Sequence, residues 1–182
     1  KMRIEEQLKL LKQSELSPYI LVDTCFFIDA VRNSLVYDDI IEFFRQKNYA
    51  FLSILPVYIE FMKGGDTIKD FRIKKEFFES LIKTIIPLDK EIIENAEKMC
   101  KIYRKDGKSV EPSDFFLAGT LMKYENKLSL LTKNHLHFPT QLFDIKYYLN
   151  IEVAKSIHTY QLTKYSEDKY TKALENLLKT PK

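Results

Sequence analysis

Glycine and proline are scarce, four and six among 182 residues, which excludes collagen-like, low-complexity and disordered chains. Cysteine is scarcer. Cys25 and Cys100 both fall inside apolar periodic segments, so they read as reduced core residues and fit a cytoplasmic compartment. No apolar run approaches the roughly 18 residues that a membrane span needs. Lys1-Met2-Arg3-Ile4-Glu5-Glu6 lacks the apolar stretch of a secretion signal, and an intracellular location without membrane association is expected. The three histidines, His135, His137 and His158, show no zinc-like spacing and read as surface residues. Charge of one sign is also missing: 29 basic residues against 26 acidic leave a net +3. That permits a nucleic-acid partner without arguing for one.

What is present is a chain 45% hydrophobic and 30% charged, as an ordered, helix-rich globular protein is. Its length suits one domain with a sizeable core. Residues 1–18 read as a helical extension, with an amphipathic helix at 4–15. A single domain over 19–182 would end in a helix at about 166–180, opened by Ser166-Glu167-Asp168. The runs Tyr19–Val22, Tyr49–Ile54, Thr84–Leu88 and Leu128–Thr132 read as strands buried on both faces, and a fifth strand falls within 151–163. Helices are expected from Phe26, at 38–47, from Pro56 to Gly64, at 68–83, at 90–104, and from a Ser113 cap to about Tyr124. Strands alternating with helices predict a three-layer α/β/α fold around a five-stranded parallel sheet, with helical extensions at both ends.

In such a sheet the site lies beyond the carboxyl ends of the strands. Asp23 ends the first strand. Glu60 lies one turn into the helix after the second, and Asp114 opens a later helix at the same rim. Three acids at the mouths of buried elements are costly to keep ionised unless a cation joins them. Carboxylate and amide oxygens suit a hard divalent ion, Mg²⁺ or Mn²⁺, with Asp23, Glu60 and Asp114 as ligands. Asn134, after the fourth strand, would be a neutral ligand or water-positioning group. Such a site can activate water and stabilise charge on a phosphodiester. Thr24, Ser113 and Thr132 bring hydroxyls to the rim as supporting groups or as ordinary caps. Asp29, six residues past Asp23, is expected to face solvent or a lysine.

These residues resemble a known family. Val22-Asp23-Thr24-Cys25-Phe26-Phe27-Ile28-Asp29 is similar to the opening of PIN-domain nucleases. Ile59-Glu60-Phe61-Met62-Lys63-Gly64 resembles their second motif, and Ser113-Asp114-Phe115-Phe116-Leu117-Ala118-Gly119 the third. Leu131-Thr132-Lys133-Asn134, followed by Phe138, resembles the fourth. His137 stands where the fourth motif often carries an Asp. The resemblance spans about residues 19–163. It implies a five-stranded parallel PIN-like sheet and Mg²⁺- or Mn²⁺-dependent cleavage of RNA with Asp23, Glu60, Asp114 and Asn134 in the catalytic roles. Many members are VapC-type toxins, often dimeric, so the resemblance also raises an antitoxin partner and a homodimer.

Lys101, Arg104, Lys105 and Lys108 form a basic patch before the Asp114 helix. It reads either as a solvated helix face or as an RNA phosphate contact at Arg104, Lys105 and Lys108. Two other enzyme classes fit poorly. A haloacid-dehalogenase-type phosphatase needs a second Asp where Cys25 stands, and a receiver domain built on Asp89 lacks its paired acids. A PIN-like fold kept as a weakly catalytic RNA-binding or protein-docking module is the non-enzyme alternative.

Overall fold

The structure, a computed structural model, describes residues 6, 7, 11, 16–105, 110–154 and 156–179, the side chains of 104, 105 and 177 excepted. The apolar runs form β1 (Tyr19–Val22), β2 (Ala50–Ile54), β3 (Thr84–Ile86) and β4 (Leu128–Thr132). Around them stand α1 (Thr24–Arg32), α2 (Ser34–Gln46), α3 (Leu55–Lys63), α4 (Ile68–Leu81), α5 (Lys90–Lys105) and α6 (Pro112–Tyr124). A long hairpin, β5 (Phe143–Val153) and β6 (Ser156–Tyr165), leads to α7 (Glu167–Lys179). Of the helix expected at 4–15, only residues 6, 7 and 11 are described; Leu11 is buried there.

The sheet order is β3-β2-β1-β4-β6-β5. β1 pairs in parallel with β2 and β4, and β2 with β3. The three-layer architecture is therefore as expected, but the sheet has six strands rather than five, and the last two break its parallel character. β6 runs antiparallel to both β4 and β5. Chain length explains this: two residues separate β5 from β6, whereas a parallel crossover needs a dozen or more. Ala154 sits there at φ 49°, the left-handed backbone that two-residue hairpin turns demand.

Strand order also locates the site. From β1 the chain builds outward through β2 and β3, then returns to place β4 on the other side of β1. Order reverses between β1 and β4, and the crevice outside the carboxyl ends of such a pair is where open α/β sheets bind ligands. Asp23 follows β1 directly and its N–H donates to the Leu131 carbonyl of β4 at 3.2 Å. Thr132 ends β4 beside it.

Packing fixes the other two motif helices. Phe27 on α1 meets Phe61 on α3 and Phe78 on α4, with ring centroids 5.3 and 4.9 Å apart. α6 lies so close to α5 that a Cβ on Gly119 would stand 2.5 Å from the Ile92 carbonyl oxygen and 2.8 Å from the Ala96 nitrogen. Only glycine permits that approach, and it sets where the first turn of α6 meets the rim. α3 and α6 also touch directly, so Glu60 and Asp114 come from adjoining helices.

Candidate active site

Asp23 is the N-cap of α1. Its Oδ1 accepts the Thr24 N–H at 2.6 Å, satisfying one of the donors a helix start leaves open. Its Oδ2 accepts the Thr132 hydroxyl at 2.5 Å and the Cys25 thiol at 3.4 Å. The Thr24 hydroxyl donates to Glu60 Oε2 at 2.8 Å. Thr24 thus holds Asp23 with its backbone and Glu60 with its side chain.

Asp114 is the third residue of α6 and is buried. The helix begins at Pro112 after an N-cap at Glu111. Ser113 is therefore its second residue and does not cap it, because proline occupies the first helical position where its missing N–H costs nothing. Asp114 Oδ2 accepts from Asn134 Nδ2 at 3.3 Å and lies 2.6 Å from His137 Nδ1. His137 Nδ1 is also 2.6 Å from Asn134 Nδ2, and the Tyr103 hydroxyl donates to the His137 carbonyl. The reading of all three histidines as surface groups holds for His135, which is exposed. It fails for His137 and His158, both half-buried and paired with buried carboxylates.

The electrostatics are those of crowded acids. Burial, then repulsion from Asp23, push Asp114 up to about 6, and the Glu60 charge adds to the effect against an opposing bond from His137. Burial likewise raises Asp23; bonds from Thr132, Cys25 and Thr24 offset part of it, and Glu60 pushes further up. Burial and the Asp23 charge raise the Cys25 thiol well above its ordinary range, so it stays protonated and is no nucleophile.

The donors here are carboxylate and amide oxygens, the chemistry a hard divalent ion takes. Among the described residues, no group of three His, Cys, Asp or Glu side chains is arranged to hold a metal by itself. That set fits an ion bound through one or two carboxylates with the rest of its shell water, which is how Mg²⁺ is ordinarily held.

Asp29 is not a solvent-facing group. It is buried and meets the Tyr160 hydroxyl at 2.5 Å, His158 Nδ1 at 3.2 Å, the Tyr37 hydroxyl at 3.4 Å and the Lys133 ammonium. Burial works against its charge, but bonds from Lys133 and Tyr160 prevail and hold it below the usual carboxylate range. Its partners lie 8 to 131 residues away, which no local pattern could have disclosed. His137 was nearer to hand: it closes a turn three residues after Asn134, where its main-chain N–H bonds the Asn134 carbonyl at 3.3 Å.

Of the basic patch, Lys101 is exposed on α5. The side chains of Arg104 and Lys105, and Lys108 altogether, lie outside the described residues. Asp89 is an exposed residue that shares the Lys123 ammonium with Glu91. No helix among the described residues is long and apolar enough to cross a membrane.

A chain of the crystal structure of DNA-bound VapBC from Salmonella typhimurium is similar to this one, with a TM-score of 0.53 and 20% identity over 68% of this chain and 90% of that chain. No family model matches the sequence, and no curated protein matches it. The likeness carries the fold, a PIN-like α/β/α sandwich around a mostly parallel sheet.

Proposed function

We propose that this chain is a metal-dependent endoribonuclease that hydrolyses RNA phosphodiester bonds, and the toxin of a cytoplasmic toxin–antitoxin pair. The observation that carries the reading is Asp114, pushed up to about 6 by its burial first and then by the charges of Asp23 and, least, Glu60. Three carboxylates from three elements repel one another at the strand-order reversal. Such mutual cost is kept where it serves a function.

Asp23, Glu60 and Asp114 would share Mg²⁺ or Mn²⁺, one or two of them directly and the rest through the ion's water shell; when bound, the ion lowers the pKa of water and neutralises charge on a phosphodiester. The protein's own part is positional. Thr132 and the α1 backbone fix both Asp23 oxygens, and Thr24 fixes Glu60. Asn134, held against Asp114 and His137, presents an amide able to orient the attacking water for in-line displacement. The product expected is a 5′-phosphate. RNA, an antitoxin and a second copy of the chain are the partners that accompany this reading. The toxin role draws on the fold shared with a VapBC chain.

The direct test incubates purified protein with single-stranded and structured RNA, with Mn²⁺, with Mg²⁺ or with chelator. Cleavage with either ion and its loss with chelator is the expected result; intact RNA in every lane overturns the reading. One observation favours the non-catalytic docking module instead: His137 already engages the Asp114 oxygen. Thermal denaturation separates the two readings, because an ion-binding site is stabilised by mass action as Mn²⁺ is added and a metal-indifferent module is not.

A further inference from the structure

Three consecutive residues at the end of β4 each engage a different buried acid. The Thr132 hydroxyl donates to Asp23, the Lys133 ammonium pairs with Asp29, and the Asn134 amide donates to Asp114. Of the three acids, Asp29 is the one outside the site proposed above. We propose that Lys133 is a positioning residue, and that its ion pair with Asp29 clamps the turn presenting Thr132 and Asn134 to the site. The proposal rests on the nuclease reading for its kinetic consequence but not for its geometry.

The anchor is built to hold. Asp29 comes from α1, one turn and a half beyond Asp23, and is fixed by hydroxyls from Tyr37 on α2 and Tyr160 on β6. Those two hydroxyls lie 3.1 Å apart, and Tyr37 and Tyr160 are both fully buried. The Lys133 ammonium also sits 5.7 Å from the centroid of the Tyr160 ring, within reach of a cation–π contact. On its main-chain side, the Lys133 N–H donates to Cys25 Sγ at 3.3 Å. The next N–H, of Asn134, donates to the Thr132 hydroxyl at 2.9 Å. Both ends of Lys133 are therefore tied to α1, and the residues either side of it follow. A surface lysine reaching for RNA would not need such an anchorage.

Lys133→Met keeps the side-chain length and removes the charge. Its kcat on RNA should fall about 10- to 100-fold, the usual cost of losing a group that orients a ligand, with KM unchanged, and Lys133→Arg should restore much of it. A raised KM with kcat preserved would make Lys133 a phosphate contact and overturn the proposal. The second readout needs no activity: the Asn134 side-chain amide signals in a ¹⁵N spectrum should move or broaden in Lys133→Met. Signals that stay put overturn the clamp even if the wild type cleaves. Should the wild type cleave nothing, the nuclease reading fails while this spectrum still decides the clamp. If Lys133→Met does not fold, Asp29→Asn carries the same measurements.

Discussion

His137 Nδ1 lies 2.6 Å from Asp114 Oδ2, so an imidazole shares the carboxylate on which the candidate site depends. In a cluster where burial and two other acids press Asp114 toward neutrality, the bond with His137 opposes that pressure and stabilises the metal-free protein. His137→Asp should therefore lower metal-free stability by roughly 1.5–3 kcal/mol, the worth of a hydrogen bond to a charged group. The same change should enlarge the stabilisation obtained with Mn²⁺. Parallel denaturant titrations with and without the ion check both halves.

Asp114 also sets a pH dependence. Its carboxyl is held at about 6 against an ordinary value of 3.8. Below 3.8 the group is protonated whether folded or not and contributes nothing. Between 3.8 and 6 the unfolded chain releases a proton that the folded chain keeps, so stability falls as pH rises; above 6 the loss is complete. A gap of about two pH units corresponds to about 3 kcal/mol. Asp114→Asn should flatten this slope when unfolding free energy is followed from pH 4 to 7, and a slope unchanged in the variant would locate it elsewhere.

The close approach of α5 and α6 gives a purely structural expectation. A methyl on Gly119 would meet main-chain atoms of Ile92 and Ala96 at 2.5 and 2.8 Å, and backbone cannot swing aside as a side chain can. Gly119→Ala should cost about 1–3 kcal/mol, the usual range for overpacking, despite alanine's better helix propensity. Thermal unfolding of the variant tests this, and a more stable variant would contradict the packing.

How far these features could be read in the sequence depended on whether the signal was local. β1 and β4 announce themselves as short apolar runs because both faces are covered, and their ends carry Asp23 and Thr132. Glu60 stood out among apolar neighbours, of which Val57, Phe61 and Met62 do belong to the core, whereas Ile59 and Glu60 itself are exposed. The β5–β6 hairpin was legible in part. The strand expected within 151–163 is β6, while Phe143, Ile145, Tyr147, Leu149 and Ile151 alternate at period two with Asp144, Lys146 and Asn150, the pattern of a half-buried strand, over β5, where none was expected. Of the network around Asp29 only a lysine partner was legible, met by Lys133; Tyr160 and His158 reach it only once β6 is laid beside β4. Likewise Ser113, a good capping residue by type, yields to Glu111 because Pro112 takes the first helical position.

The central claim is that Asp23, Glu60 and Asp114 form one anionic centre that cuts RNA when a divalent ion is bound. Asp23→Asn probes it most directly, because it removes a charge while the amide oxygen can still accept from Thr24 or Thr132. RNA cleavage by the purified variant in Mn²⁺, measured beside the wild type, should vanish while the melting temperature stays level or rises as repulsion is relieved. A variant that folds normally and cleaves RNA at the wild-type rate would contradict the account.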